Sequence, residues 1–419
     1  MLPKSILYWL TLFVGMAPAV LAQSPSYTVR QITFGPRHHF FGYIGHVRTI
    51  PWNASGRYLV ALQVDFQDHM PKPDEAAEIV LLDTRRKYAA RVVDRTHAWN
   101  PQQGTMLYWN PLAAETQFFF NDRDLATGEV YTVLFDISRG PSGKRIREYR
   151  FADTPIGNSG VAQHGGYFLG INYGRLARLR PVTGYPGARD WTEGTLAPED
   201  DGIFKINTRT GEKRLLVSYA QLRDKLRGSV SNIDQTALFI NHTLWNRDDD
   251  RIYFFVRGNF RSKRPKVDIP WTVDLTGKLV RQRSIGGHPE WESGHTMIGQ
   301  VDGRQVRYDT DQKKVLGPLG ASEFFPQPGG DIALSPDGAR FVNGYGFKKP
   351  ALDYYAILLR NDNRLIRTGA FSRGVWTSGP LRLDPAPCWN RSGNKILVPA
   401  IAADAEKTRQ LFVIGLPGG

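Results

Sequence analysis

The chain has 419 residues, one cysteine, 12% aromatic residues and a formal net charge of +14. A lone cysteine excludes an internal disulfide, and no Pro/Ser linker, charge block or low-complexity tract divides the chain. The positive charge points to polyanionic partners. Behind an export signal, acidic polysaccharide or an anionic envelope suits that charge, and nucleic acid does not.

Residues 1–22 read as a signal peptide. Lys4 precedes an apolar run from Ile6 to about Ala19, and Val20-Leu21-Ala22 fits a cleavage site before Gln23. The run is too short for a stable bilayer span. The mature chain, 23–419, is therefore expected to be one secreted or periplasmic domain with no membrane span, and a monomer.

A repeated unit then runs along the chain: an aromatic or polar residue, a tight turn, and a β-rich run. The copies begin at Trp52-Asn53-Ala54-Ser55-Gly56, Trp109-Asn110-Pro111, Gln163-His164-Gly165-Gly166, Trp245-Asn246-Arg247-Asp248, Trp291-Glu292-Ser293-Gly294, Ser335-Pro336-Asp337-Gly338 and Trp389-Asn390-Arg391-Ser392-Gly393. A second strand-and-turn unit follows each, from IVLLDTRRKY to LFVIGL. Gly, Asn and Asp in these turns permit the positive φ of tight hairpins. Alternating apolar residues between them suit half-buried sheet. Two hairpins per unit make a four-stranded blade of about 45–55 residues. The expected fold is all-β, a seven-bladed β-propeller. It closes by pairing an early strand, near Tyr27 to Phe34, with the blade that holds LFVIGL.

The third unit is stretched by an Arg-, Pro- and Gly-rich segment between Asn172 and Gly202. A loop this long is usually functional or mobile, and it is expected to lie over one face of the ring. Residues 326–330 and 371–387 read as further long loops.

No P-loop, dinucleotide fingerprint, HExxH, GxSxG elbow or CxxC occurs. Any chemistry must be assembled at the axis from separate blades. His242 and His288 each stand three residues before a blade tryptophan, Trp245 and Trp291. Asp331 and Asp384 sit near the same offset in the last two blades. Equivalent offsets place these four on one rim, where imidazole and carboxylate suit a divalent metal or acid–base work; turn-capping is the alternative role. Arg175 and Arg180, beside Tyr173, open the long loop and offer bidentate recognition of carboxylate. A solvated basic loop is the alternative for Arg180, and a core aromatic for Tyr173. His97, Gln102 and Gln103 form a polar cluster whose amides would bind sugar hydroxyls or satisfy loop backbone. Cys388 reads as a small buried residue. Asn53, Asn241 and Asn390 match the glycosylation sequon but are explained by turn chemistry.

The segments INHTLWNRDDDRIYFFVRGN, GHPEWESGHTMIG, IALSPDGARFVNG and DPAPCWNRSGNKILVPAIAADAEKTRQLFVIGL resemble the oligogalacturonate lyases and their TolB-type propeller relatives. The resemblance covers most of the mature chain. It implies a polysaccharide (carbon–oxygen) lyase that cleaves uronate oligosaccharides by β-elimination with a divalent metal, manganese or calcium. By position, His242 matches a histidine near the scissile bond and His288 a metal ligand. The family's other ligands, a Gln…His-Pro-His run, are replaced here by Leu381, Asp384 and Ala386. The resemblance then leaves His242 or Arg175 as base, His288, Asp384 and Asp331 for a cation, and Arg175 or Arg180 for the substrate carboxylate. The competing expectation is a non-catalytic periplasmic propeller that binds envelope glycan or a protein partner.

Overall fold

The computed structural model describes residues 27–42, 49–283 and 285–417; the expected signal peptide lies outside them. Seven antiparallel sheets make a seven-bladed β-propeller. Blade 1 runs from His38–Phe40 to Ala89–Thr96 and blade 2 from Tyr108–Trp109 to Lys144–Tyr149. Blade 3 runs from Gly157–Val161 to Lys213–Ser218, and blade 4 from Leu238–Trp245 to Leu279–Arg281. Blade 5 runs from Gly286–Ser293 to Lys314–Pro318, and blade 6 from Asp331–Leu334 to Arg364–Arg367. Blade 7 takes Cys388–Trp389, Lys395–Ile401 and Arg409–Gly415, and its outer strand is the early segment Thr28–Gln31. Thr28 pairs with Gly415 and Gln31 with Phe412, which closes the ring.

The repeated tryptophans join consecutive blades. Trp109 Nε1 donates to the carbonyl of Pro51, Trp245 to Gly160, Trp291 to Leu244 and Trp389 to Ala333. Each buried indole thus satisfies its N–H on a carbonyl of the preceding blade, on its inner strand for Trp245, Trp291 and Trp389, while its rings fill the gap between sheets. In the second strands both faces are buried, not one as alternation suggests. Phe118, Phe119 and Phe120 are all 0% exposed, because a neighbouring blade covers each face of the sheet.

Two short helices interrupt the β pattern. Helix α1 (Tyr173–Leu179) begins the long excursion of blade 3, and the Asn172 side chain caps it by accepting from Arg175 N. Helix α2 (Tyr219–Leu226) joins blades 3 and 4 behind a capping box made by Ser218 and Gln221. The long excursion is packed against the ring by a polar network. Arg178 binds Asp190 through Nε and Nη2, at 2.9 and 2.7 Å. Asn172 Nδ2 donates to Asp190 and to the buried Asp201.

The tight turns between first and second strands form the face opposite the long excursion, and histidines tie it together. His164 Nδ1 lies 2.8 Å from Asp249, between blades 3 and 4. His295 contacts Asp311 at 2.6 Å and Asp250 at 3.2 Å, with Arg251 at 3.3 Å. Burial opposes protonation of His295, yet Asp311 and Asp250 outweigh burial and Arg251, so its pKa lies above 6.5. Its contribution to stability is therefore complete below 6.5 and lost as pH rises through the raised value. The pairs are partly exposed, so the contribution is under about 1 kcal/mol. His295→Ala should lower the unfolding temperature in weak acid and leave it unchanged in weak alkali. Equal loss at both pH values would show that packing, not charge, is what His295 supplies there.

Candidate functional site

Strand direction decides which residues can meet. Strands alternate, so the connections from second to third strand, and from each blade to the next, emerge at one end of the ring. The first strand of each blade also starts there. All ten residues singled out in the sequence lie at this end: His97, Gln102 and Gln103 between blades 1 and 2, Tyr173, Arg175 and Arg180 in the excursion of blade 3, and His242, His288, Asp331 and Asp384 at or before the inner strands of blades 4 to 7.

His242 and His288 come together, with ring centroids 5.3 Å apart. Both owe their aim to irregular strands. The register of blade 4 shifts between Asn241 and Leu244, and His242 lies inside that bulge at φ 54°. Blade 5 shifts between Gly286 and Glu290, around His288. A bulge turns a side chain out of the pleat, and positive φ at a non-glycine residue is a strained conformation that clusters at functional sites. Phe255 backs the His242 ring edge-on at 6.1 Å.

His288 Nδ1 lies 2.5 Å from Oδ1 of Asp331, and Asp331 Oδ2 accepts from Ala386 N at 3.0 Å. Asp331 therefore ties blades 5, 6 and 7 together and orients His288. Burial opposes its ionisation, but His288, the Ala386 amide and Arg382 hold its carboxyl below the usual range. Asp384 is a close neighbour. Burial and Asp331 push its carboxyl up, and it accepts from Arg382 Nε at 2.9 Å.

His288, Asp331 and Asp384 were the expected metal ligands. They are neighbours but do not fit a metal ion. Asp331 is engaged by His288 and a backbone amide, Asp384 by a guanidinium, and among the described residues no three His, Cys, Asp or Glu side chains converge to hold a metal. In the 381–386 run, Leu381 and Ala386 bring no donor side chain to the pair.

Arg175, one of the two expected bases, is 0% exposed. Its Nε donates to Leu238 O (2.5 Å), Nη1 to Thr192 Oγ1 (2.9 Å) and Thr195 O (3.0 Å), and Nη2 to Leu196 O (2.6 Å). The guanidinium lies over Tyr219. It is a bracket for the excursion and does not face the cup. Tyr173 is likewise core: it stacks on Tyr185 at 4.1 Å and donates to Asn158 O. His97 sits by Asp122, its Nδ1 3.9 Å from Oδ1. Gln102 donates to the carbonyls of Pro380 and Arg382, so it supports the loop that carries Arg382. Gln103 is buried, and its backbone N–H donates to Asn100 Oδ1 at 2.8 Å.

Arg180 is different. Among the described residues its guanidinium has no ion pair and no side-chain hydrogen bond, and its buried Nε lacks any partner. It lies over the Phe260 ring at 4.7 Å. Burial first, then Arg257 and Arg382, lower its pKa to about 10, with only Asp268 opposing. An unpaired, half-buried guanidinium crowded by other cations is a site that an anion would stabilise.

Four contributors carried no legible sequence signal. Arg382 faces Asp384 and Asp331. Arg257 donates to Asn241 Oδ1 at 2.8 Å, beside His242, and pairs with Asp268. Arg409 is buried over Phe40, its pKa lowered to about 10 by burial against the pull of Asp384. Asp353, 1% exposed, is pushed to about 8 by burial, with Arg373 at 3.5 Å only partly offsetting it.

No family model matches the chain, and no curated protein matches it. Solved structures do. An oligogalacturonate lyase in complex with manganese is 14% identical over 94% of both chains, with a TM-score of 0.61. The oligogalacturonate lyase of Vibrio parahaemolyticus is 13% identical over 93% of both, with a TM-score of 0.57. The chain has the fold of these lyases. TolB of Acinetobacter baumannii aligns with a TM-score of only 0.38. Among the described residues no helix is long and apolar enough to cross a membrane.

Proposed function

We propose that the protein is a lyase-like propeller that takes uronate-containing oligosaccharides into the cup and cleaves them by β-elimination. The observation that carries this reading is the meeting of two blade imidazoles, His242 and His288, beside an excess of guanidinium groups led by the unpaired Arg180. The proton next to a uronate carboxylate is weakly acidic. A guanidinium on that carboxylate stabilises the negative charge that develops when the proton leaves. His242 accepts the proton, a carbon–carbon double bond forms, the bond to the 4-linked oxygen breaks, and that oxygen takes a proton from water. Arg180 supplies the cation, with Arg382 close by. Asp331 fixes the tilt of His288, which lines the cup against His242. No step is routed through a metal, because the donor set does not fit one.

The lyase fold of the solved relatives supports the reaction class. The weak donor set favours the second reading, a propeller that binds acidic glycan without cleaving it, and one experiment separates the two. The purified protein is incubated with a panel of polyuronates and their oligomers, with and without chelator, while ultraviolet absorbance follows the unsaturated product. Chelator-resistant product is expected. Glycan binding with no product from any uronate would leave only the binding reading.

A further inference from the structure

Beside the cup, a cavity of about 460 Å³ opens between the long excursion and the hairpin that joins the second and third strands of blade 4. Its floor is apolar, formed by Leu179, Ala237, Phe239 and Phe260; Phe239 meets Phe260 edge-on at 5.5 Å. Its rim is basic. The hairpin reads Arg261-Ser262-Lys263-Arg264-Pro265-Lys266, four cations in six residues without a carboxylate. Among the described residues Arg261, Lys263, Arg264 and Lys266 make no ion pair, and Arg261 and Arg264 donate to the carbonyls of Arg178 and Gln235.

Three cations converge on the Phe260 ring: Arg180 at 4.7 Å, Lys266 at 5.4 Å and Arg257 at 5.6 Å. Only Arg257 has a carboxylate, Asp268, at 2.7 Å. Asn259, in the left-handed region at φ 62°, ties the base of the hairpin to Thr236 and Pro265, so the cations are presented by an ordered turn. The cavity also adjoins the cup. Arg257 touches Asn241 on one side and Phe260 on the other, and its guanidinium lies over Phe255, the ring that backs His242.

An apolar floor with a cationic rim suits a sugar that carries a carboxylate. Its C–H groups pack against the apolar floor and its charge meets guanidinium and ammonium groups. We propose that the cavity beside Phe260 is a second sugar subsite, which holds a neighbouring uronate residue of a chain already seated in the cup, so that the protein selects oligomers over disaccharides. The inference rests on the reading that the cup takes acidic oligosaccharides. It adds length selection and names the Arg261–Lys266 hairpin as its source.

The test is calorimetric titration at low ionic strength with a galacturonate disaccharide, a galacturonate hexasaccharide and a neutral glucose hexasaccharide. The unaltered protein should bind the acidic hexasaccharide about tenfold or more tighter than the disaccharide, because the second subsite acts on a tethered group, and added salt should shrink that advantage. The Arg261→Ser, Lys263→Ser double variant alters two exposed side chains of the hairpin. It should lose most of the length advantage and keep disaccharide affinity. Phe260→Leu should also shrink the advantage while leaving salt dependence in place. An undiminished length advantage in the double variant, or equal binding of the neutral hexasaccharide, overturns the inference and leaves the cup reading standing. Hairpin-dependent binding without cleavage supports the inference and removes only the catalytic step. No binding of any galacturonate overturns both.

Discussion

His242→Ala is expected to lower kcat on a uronate oligosaccharide by about 10²–10⁴-fold, the usual worth of a positioned general base, with a much smaller change in KM. The carboxylate contacts that hold the substrate come from Arg180 and its neighbours, so removal of the imidazole takes away proton acceptance more than binding. His164→Ala, on the opposite face of the ring, should leave both constants unchanged. Stability gives an independent readout. His242 occupies φ 54° inside a strand bulge, a conformation that costs an ordinary residue free energy and a glycine almost none. His242→Gly should therefore be inactive yet as stable as the parent, or more stable by up to about 1 kcal/mol. A residue kept where it strains the backbone, and whose loss improves the fold, is held there by function. Destabilisation by several kcal/mol in His242→Gly, seen in denaturant unfolding, would instead make the imidazole a structural post and move the base elsewhere.

The ring was legible because blade geometry is local. Each hairpin announces its turn through Gly, Asn or Asp, and each inner strand ends in a residue that must bridge to the previous blade, which explains the recurrent tryptophans. A fixed offset before those tryptophans was enough to bring His242 and His288 together, since equivalent positions in successive blades share a rim. The same arithmetic failed where side-chain direction is not periodic. Arg175 stands just past the strand that ends at Ile171, where an extended chain would carry it toward the cup. The chain instead turns into a capped helix at Asn172, which swings Arg175 beneath the excursion. The segment YAQLRDKL has apolar residues at helical spacing, Tyr219, Leu222 and Leu226, and all three are buried; the surrounding β rhythm hid that signal. Arg257, Arg382 and Arg409 had no local signature. They meet the site only because three different blades close on one axis, which no spacing along the chain encodes. The ligand chemistry is illegible for a related reason: an offset places residues near one another but does not encode that Asp331 is held by His288 and an amide, and Asp384 by Arg382.

Arg175→Ala is expected to cost about 3–5 kcal/mol of stability, the range for removing one partner from a buried charged network. The guanidinium reaches the carbonyls of Leu238, Thr195 and Leu196 and the hydroxyl of Thr192. Truncation strands those acceptors away from water, each an unsatisfied buried group. It also withdraws the cation that opposes the effect of burial on Asp201, whose carboxyl burial already pushes to about 7. Without Arg175 that carboxyl should take up a proton more readily, and the hydrogen bonds it accepts from Asn172 and Thr192 weaken. Arg175→Lys should recover little, because one ammonium cannot reproduce a planar fork of donors aimed at several acceptors. The damage should be local first. Hydrogen exchange in the 172–201 excursion should rise well before the blades respond, and proteolysis should cut there. Function follows from position: Arg180 sits five residues along the same excursion, so a loosened bracket should raise KM for an acidic oligosaccharide more than it lowers kcat. His242→Ala should do the reverse. The opposite split, with kcat collapsing in Arg175→Ala while the excursion stays protected from exchange, would return Arg175 to the chemistry and remove the structural role.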